Sequence, residues 1–208
     1  MDIDIDELRC HRDRINRVTE RMTWNQPDET GCDITYLRVP ESCLMEGHQE
    51  GIQEYYSRQK RKAKEQPKLR KGTKYYLRIV RRDGVLLRVD HYSGDELYVT
   101  HLAHYEDGIR YLIPFYPDGT HSCTLTYVTH WENGRVSEEY ACSGGQVIQW
   151  RFSYSENNTV EVESVNAVPD GKEPILCWGK SIFTQGDTIT CEDVDYWDYW
   201  MKERNENC

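Results

Sequence analysis

The sequence predicts a mainly β protein of the α+β class, an antiparallel meander of roughly eight to ten strands with helices before it and one after it. The first observation behind this is a turn signal, usually Asp-Gly, Asn-Gly or Gly-Gly, every ten to fifteen residues between Asp83 and Gly171. Such dipeptides between alternating segments are the strongest short-range hairpin signal. The second is composition: 15 Tyr against 3 Phe is typical of sheets with one packed and one partly wet face.

The N-terminal region, residues 1–72, is expected to be mainly helical. An apolar stripe at helical spacing, with Asp4 or Asp6 as candidate N-cap, predicts a first helix that ends near Pro27; its members are Ile5, Leu8, Ile15, Val18 and Met22. Residues 32–39 favour a short strand or an irregular crossing. A second helix is predicted over 49–65, where Pro67 would end it.

Residues 73–183 form the predicted hairpin array. Its clearest strands are 146–154 and 109–115, in which apolar and aromatic residues alternate with other residue types. Val85, Leu87 and Val89 indicate a further strand with one apolar face. The third region, 184–208, is expected to be an aromatic helix or tail that starts at a Thr190 cap and docks on the sheet.

The sequence leaves open whether this sheet is an open curved sheet or a closed up-and-down barrel. Closure would remove the sheet edges and create a cavity. We expect four rings to line such a cavity and to bind a small apolar ligand: Tyr111, Phe115, Trp150 and Phe152.

The charge is distributed unevenly along the chain. The net charge is −10, yet residues 58–82 hold twelve Lys or Arg and one acid, Glu65, giving +11 and leaving −21 for the rest. This asymmetry indicates a charged partner or an internal docking surface. The candidate binding residues in this basic segment are Arg58, Lys60, Arg61 and Lys62. Flanking tyrosines would also permit nucleic-acid contact, although the acidic remainder would repel a long polyanion.

Targeting and cofactor signals are absent from the sequence. The acidic start has no apolar signal region, and no run of about 18 apolar residues occurs, so we expect a cytoplasmic protein with reduced thiols and no membrane contact. The eight cysteines include no Cys-x-x-Cys pair, and no phosphate loop or zinc-protease motif appears. We therefore expect neither a metal nor a cofactor.

Histidines and carboxylates are the residues in this sequence that could support catalysis by a hydrolase. His101 and His104 are three residues apart, which places them on opposite faces of a strand, whereas His121 and Cys123 would share a face. No spacing singles out a catalytic pair, and we assign no catalytic residue.

The turn rhythm Tyr-Glu-Asp-Gly, Tyr-Pro-Asp-Gly and Trp-Glu-Asn-Gly, at 105–108, 116–119 and 131–134, resembles MORN-type or YD-type hairpin repeats over about half of the chain. That resemblance implies a scaffold or interaction surface; the motif is short and degenerate, and we assign no family. The leading hypothesis is a non-enzymatic protein-interaction module, with an inhibitor or toxin-neutralising protein as a specialisation. The alternatives are a barrel that carries a small apolar ligand and a hydrolase with its site in a barrel mouth.

Overall fold

A computed structural model describes residues 4–39, 65–155, 159–170, 175–184 and 189–190. They form one helix, α1 (Ile5–Arg21), and a single antiparallel sheet. The strands of the sheet are β1 (Asp33–Arg38), β2 (Tyr75–Arg82), β3 (Val85–Ser93), β4 (Glu96–Glu106), β5 (Ile109–Phe115), β6 (Thr126–Glu132), β7 (Arg135–Ser143), β8 (Gln146–Tyr154), β9 (Thr159–Val168), β10 (Ile175–Thr184) and β11 (Ile189–Thr190).

The strands pair strictly in chain order, from β1 at one edge to β11 at the other, so the sheet is an open meander. The predicted hairpin array corresponds to nine of these strands, β2 to β10, within the expected number. Of the two predicted arrangements, the open sheet is the one found. The predicted helix over 49–65, apart from its last residue Glu65, and the predicted helix after Thr190 lie outside the described residues.

Three hairpins of the sheet, β2–β3, β4–β5 and β6–β7, have turns with two residues in the left-handed conformation. In the turn between β4 and β5, Asp107 and Gly108 have φ angles of 52° and 75°. Positive φ at both central residues defines the type I′ turn, whose twist matches the twist of the strands it joins. Asp83-Gly84 and Asn133-Gly134 repeat this geometry. These three Asp-Gly and Asn-Gly signals of the sequence therefore correspond to hairpin turns.

Helix α1 covers one face of the sheet, here called the helix side. Asp4 caps the helix, and its carboxylate accepts hydrogen bonds from the backbone N–H groups of Asp6 and Glu7. Leu8, Ile15 and Val18 are buried in a core with side chains from β4 to β9. Each such burial stabilises the fold by about 1.5–3 kcal/mol. The apolar stripe of the sequence thus predicted the packing face of α1.

A β-bulge in the hairpin of β2 and β3 changes the predicted face of β3. The register shifts between Val80 and Arg81, so that Arg81 pairs with Leu86 whereas Val80 pairs with Arg88. Leu86 is buried as a result, and Val85 is 49% exposed. The predicted alternation of Val85, Leu87 and Val89 fails at its first position, because the extra residue of a bulge interrupts the two-residue period.

Candidate binding surface

The predicted site residues divide into two groups. Arg58, Lys60, Arg61 and Lys62 lie outside the described residues. Tyr111 and Phe115 lie in the core beneath α1, whereas Trp150 and Phe152 pack in clusters on the opposite face. The strand register explains the separation, because Tyr111 lies in line with Val128, Tyr140 and Gln149, and Trp150 follows Gln149 on the other face. The four rings therefore do not line one cavity.

A basic turn (residues 67–74) precedes β2. It contains four Lys or Arg and no acid. The backbone N–H of Thr73 donates to the Arg70 carbonyl at 3.1 Å and the Thr73 hydroxyl donates to the same oxygen at 2.8 Å. Gly72 supplies the left-handed conformation, with φ of 81°. Lys68, Arg70 and Lys71 are exposed, so an ordered backbone presents them to solvent.

These three side chains of the basic turn have no ion-pair partner among the described residues. Three arginines that follow on β2 and β3, by contrast, donate hydrogen bonds to carboxylates. Arg81 donates to both carboxylate oxygens of Glu65, at 2.7 and 2.9 Å. Arg78 and Arg88 are engaged in a second, more buried group on the helix side. Among the described residues, the basic turn therefore presents exposed charges that are not neutralised by a carboxylate, unlike Arg78, Arg81 and Arg88.

That second group is a buried carboxylate network of Glu29, Arg78, Arg88, Asp90 and Thr100. Asp90 accepts hydrogen bonds from Arg78 Nη1 at 2.9 Å, from Arg88 Nε at 3.1 Å and from the Thr100 hydroxyl at 2.8 Å. Glu29 accepts from Arg78 Nη1 at 3.0 Å, and also from Arg78 Nη2 and Arg88 Nη2. The hydrogen bond from Arg78 lowers the pKa of Glu29, against the effect of burial, and Arg88 adds to this.

A row of three tyrosines lies beside this network. Tyr76 and Tyr92 are directly paired across β2 and β3, and their rings stack with centroids 5.0 Å apart. Tyr36 on β1 meets Tyr76 edge to face at 6.1 Å. Burial raises the pKa of both Tyr76 and Tyr92. In the tyrosine row (Tyr36, Tyr76 and Tyr92) the central ring is buried and the outer two are half-buried, and Tyr76 lies two residues beyond Lys74 at the end of the basic turn.

Two histidines form a buried pair that the sequence did not reveal. His101 Nε2 lies 3.1 Å from the carbonyl oxygen of Leu125 and must donate to it, since a carbonyl only accepts. In a neutral ring Nδ1 then accepts, and it lies 3.0 Å from His91 Nε2, which donates. Both rings have no exposed surface. Burial, and then the neighbouring His91, lower the pKa of His101 well below its ordinary value.

The remaining titratable groups show structural contacts. The His121 ring contacts Phe115 in a tilted arrangement with centroids 4.5 Å apart, and its Nε2 lies 2.8 Å from the Met22 carbonyl oxygen; Cys123 Sγ lies 3.2 Å from the Tyr116 hydroxyl. Within the described residues, no group of three or more His, Cys, Asp or Glu side chains is placed to hold a metal ion. His101 and His104 do lie on opposite faces of β4, as their spacing predicted.

A polar network surrounds Tyr140 at the edge of α1. The Tyr140 hydroxyl donates to Glu138 at 2.9 Å and lies 3.4 Å from His11 Nε2. Arg151 joins Glu138 of the sheet to Glu7 of the helix, at 3.1 and 3.3 Å. Burial raises the pKa of Tyr140. These contacts hold the helix to the sheet, and Tyr140 itself has no exposed surface.

A shallow groove lies between α1 and the turn that joins β4 to β5. Its volume is about 540 Å³, and Arg14, Arg17, Arg21 and Glu106 are among its lining residues. Arg21 pairs with Glu106, and Arg14 lies 3.7 Å from Asp107. The groove is therefore nearly neutral, in contrast to the basic turn.

Comparisons with protein-family models, with curated proteins and with solved structures found no match to this chain. No helix among the described residues has the length and apolar character needed to cross a membrane.

Proposed function

We propose that the protein is a protein-interaction module that binds an acidic segment of its partner at the basic turn and the adjacent tyrosine row. The observation that carries this proposal is the contrast in charge pairing. Lys68, Arg70 and Lys71 are exposed and lack ion-pair partners in the described part of the chain, whereas Arg78 and Arg81 are paired with carboxylates. Unpaired exposed charges on an ordered turn attract and orient a partner of opposite sign.

The tyrosine row supports the same function. Tyrosine and arginine are enriched at interface hot spots, because each offers a large contact area together with hydrogen-bonding groups. Tyr36 and Tyr92 are only partly buried, which leaves ring surface for a partner. An inhibitory or toxin-neutralising role would be one specialisation of this binding.

An acidic protein segment fits the charge distribution better than a nucleic acid. The whole chain carries −10 despite the basic turn, so a long polyanion would meet repulsion beyond the turn. A short acidic segment would contact only the basic turn and the tyrosine row.

The test compares capture of partners by two charge-matched variants. In the first, Lys68, Arg70 and Lys71 are replaced by Ala; in the control, three exposed arginines elsewhere, Arg17, Arg21 and Arg135, are replaced by Ala. Each variant loses three positive charges from the same total. With nuclease-treated lysate and quantitative mass spectrometry, we expect the first variant to lose captured protein at least tenfold and the control to stay within twofold of the wild type.

Equal capture by both variants would refute the proposal. So would capture that disappears after nuclease treatment, since the bound material would then depend on nucleic acid. Circular dichroism of both variants checks that the fold is retained.

A further inference from the structure

The carboxylate network contains a preformed pair of arginines. Arg78 on β2 and Arg88 on β3 both lie on the helix side, where Arg78 is paired in register with Asp90. Asp90 accepts from both guanidinium groups, and Thr100 fixes its other oxygen. These contacts are made within the sheet and orient both arginines without Glu29.

Glu29 enters this group from outside the sheet. It belongs to residues 22–32, which join α1 to β1 without regular secondary structure. Its carboxylate takes hydrogen bonds from both guanidinium groups, the bidentate geometry in which arginine binds a free carboxylate. The Glu29 side chain is 30% exposed, whereas those of Arg88 and Asp90 are 7% and 2% exposed. An external carboxylate can therefore approach where Glu29 now lies.

The position of this group links it to the basic turn. Tyr76 and Arg78 are two residues apart on β2 and share a face. Arg78 lies four residues beyond Lys74, which is about 13 Å along an extended strand at 3.3 Å per residue. The end of the basic turn at Lys74, Tyr76 of the tyrosine row and Arg78 of the arginine pair thus follow one another over about 13 Å, the reach of an extended segment of four or five residues.

We propose that Arg78 and Arg88 form a receptor for a side-chain carboxylate of an acidic partner segment, and that Glu29 occupies this receptor as an internal substitute. Without Glu29, the two arginines and Asp90 carry a net charge of +1, which matches the sign of such a ligand. The partner's carboxylate replaces that of Glu29 and makes the same hydrogen bonds. This inference rests on the proposed function for the identity of the ligand.

The test measures binding of a triglutamate peptide, acetylated and amidated at its ends, by NMR titration of the purified protein. The variant E29Q removes the competing charge, and we expect it to bind the peptide at least tenfold more tightly than the wild type. The Nε–H signals of Arg78 and Arg88 should shift with binding. A triglutamine peptide should bind neither protein.

The matched control is E65Q. Glu65 also accepts two hydrogen bonds from an arginine of β2, and its side chain is 29% exposed, close to the value for Glu29. We expect E65Q to bind the peptide as the wild type does at the arginine pair. A gain in E65Q equal to that in E29Q, or no gain in E29Q, would overturn the proposal.

A second variant covers the case in which E29Q fails to fold. E29D keeps the negative charge but shortens the side chain by one methylene, so its carboxylate can no longer reach both arginines. We expect at least threefold tighter peptide binding than in the wild type, and equal affinities would overturn the proposal. These titrations use only purified protein and peptide. Their failure would therefore leave partner capture by the basic turn intact, and failure of partner capture would leave a positive titration result intact.

Discussion

The basic turn and the arginines of β2 and β3 all carry positive charge, yet their surroundings in the fold differ. In the turn, Lys68, Arg70 and Lys71 are exposed and have no ion-pair partner in the part of the chain that the structure describes. In the sheet, Arg88 is 6% exposed and pairs with Glu29 and Asp90. Basic side chains therefore form buried ion pairs in the sheet and are exposed to solvent in the turn.

The difference follows from backbone geometry. Side chains on a strand alternate between faces, and each face of β2 brings an arginine to a carboxylate from elsewhere in the chain: Arg78 to Glu29 and Arg81 to Glu65. Among the described residues, no strand pairs with the basic turn to bring a carboxylate to its side chains. A count of charges along the sequence thus overstates the charge available to a partner.

The largest expected effect is a loss of unfolding free energy when a buried arginine of the sheet is replaced. Replacing Arg88 by Ala leaves Asp90 buried with one of its two arginines missing, and loss of a partner from a buried ion pair costs about 3–5 kcal/mol. Urea unfolding at neutral pH measures this loss. The control K71A should change the free energy of unfolding by less than about 0.5 kcal/mol, as is usual for surface positions. Similar losses in R88A and K71A would contradict the contrast.

The second largest expected effect is the loss of stability at acidic pH, where Glu29 becomes protonated. Because the folded-state pKa of Glu29 is lowered, its pairing stabilises the fold above the unfolded value of 4.5 and is lost as pH falls through the folded value. We expect the urea midpoint of the wild type to fall between pH 5 and pH 3, and to fall less steeply in E29Q. An E29Q slope as steep as that of the wild type would show that Glu29 contributes nothing to this loss.

The third expected effect is a loss of stability between pH 7 and pH 5 that arises from the buried histidine pair. This pH range lies above the range in which Glu29 acts. His101 has a lowered pKa in the folded protein, so the unfolded chain binds a proton first, and stability falls as pH drops below about 6.5. Burial also lowers the pKa of His130, which adds a change of the same sign. Urea midpoints between pH 7 and pH 5 should therefore decline. The decline should be shallower in H101Q than in the wild type, and an equal decline in both would contradict the role given to His101.

The smallest expected effect on stability is in the basic turn itself. The triple alanine variant of Lys68, Arg70 and Lys71 should unfold within about 0.5 kcal/mol of the wild type, because it removes no ion pair that the structure describes and leaves Gly72 and Thr73 in place. Thermal and urea unfolding check this. A large loss of unfolding free energy would mean that these residues support the fold, and the proposed binding role of the basic turn would lose its basis.

Much of the fold could be predicted from the sequence, because local signals decide it. The apolar period of α1, the Asp4 cap and the Asp-Gly turns each act over a few residues, and all three appear in the structure. The bulge of β2 and β3 escaped prediction, since nothing in the local pattern marks the extra residue. Whether the sheet closes also depends on contacts between distant strands.

The candidate site was less accessible to sequence reasoning. The basic segment was visible as composition, but Glu29 lies 49 residues before Arg78 in an irregular segment, and no periodicity connects the two. The histidine pair is likewise set by hairpin register, which brings His91 and His101 together across β3 and β4. Pairings of this kind are tertiary and require the strand register to be known.

The most direct measurement of the central contrast is the rate at which phenylglyoxal modifies individual arginines, followed by peptide mass spectrometry of the native protein. The reagent attacks guanidinium groups that are exposed and free of carboxylate partners. We expect Arg70 of the basic turn to react at least tenfold faster than Arg88 of the buried network. Equal rates for Arg70 and Arg88 would contradict the contrast between the exposed basic turn and the neutralised arginines of the sheet.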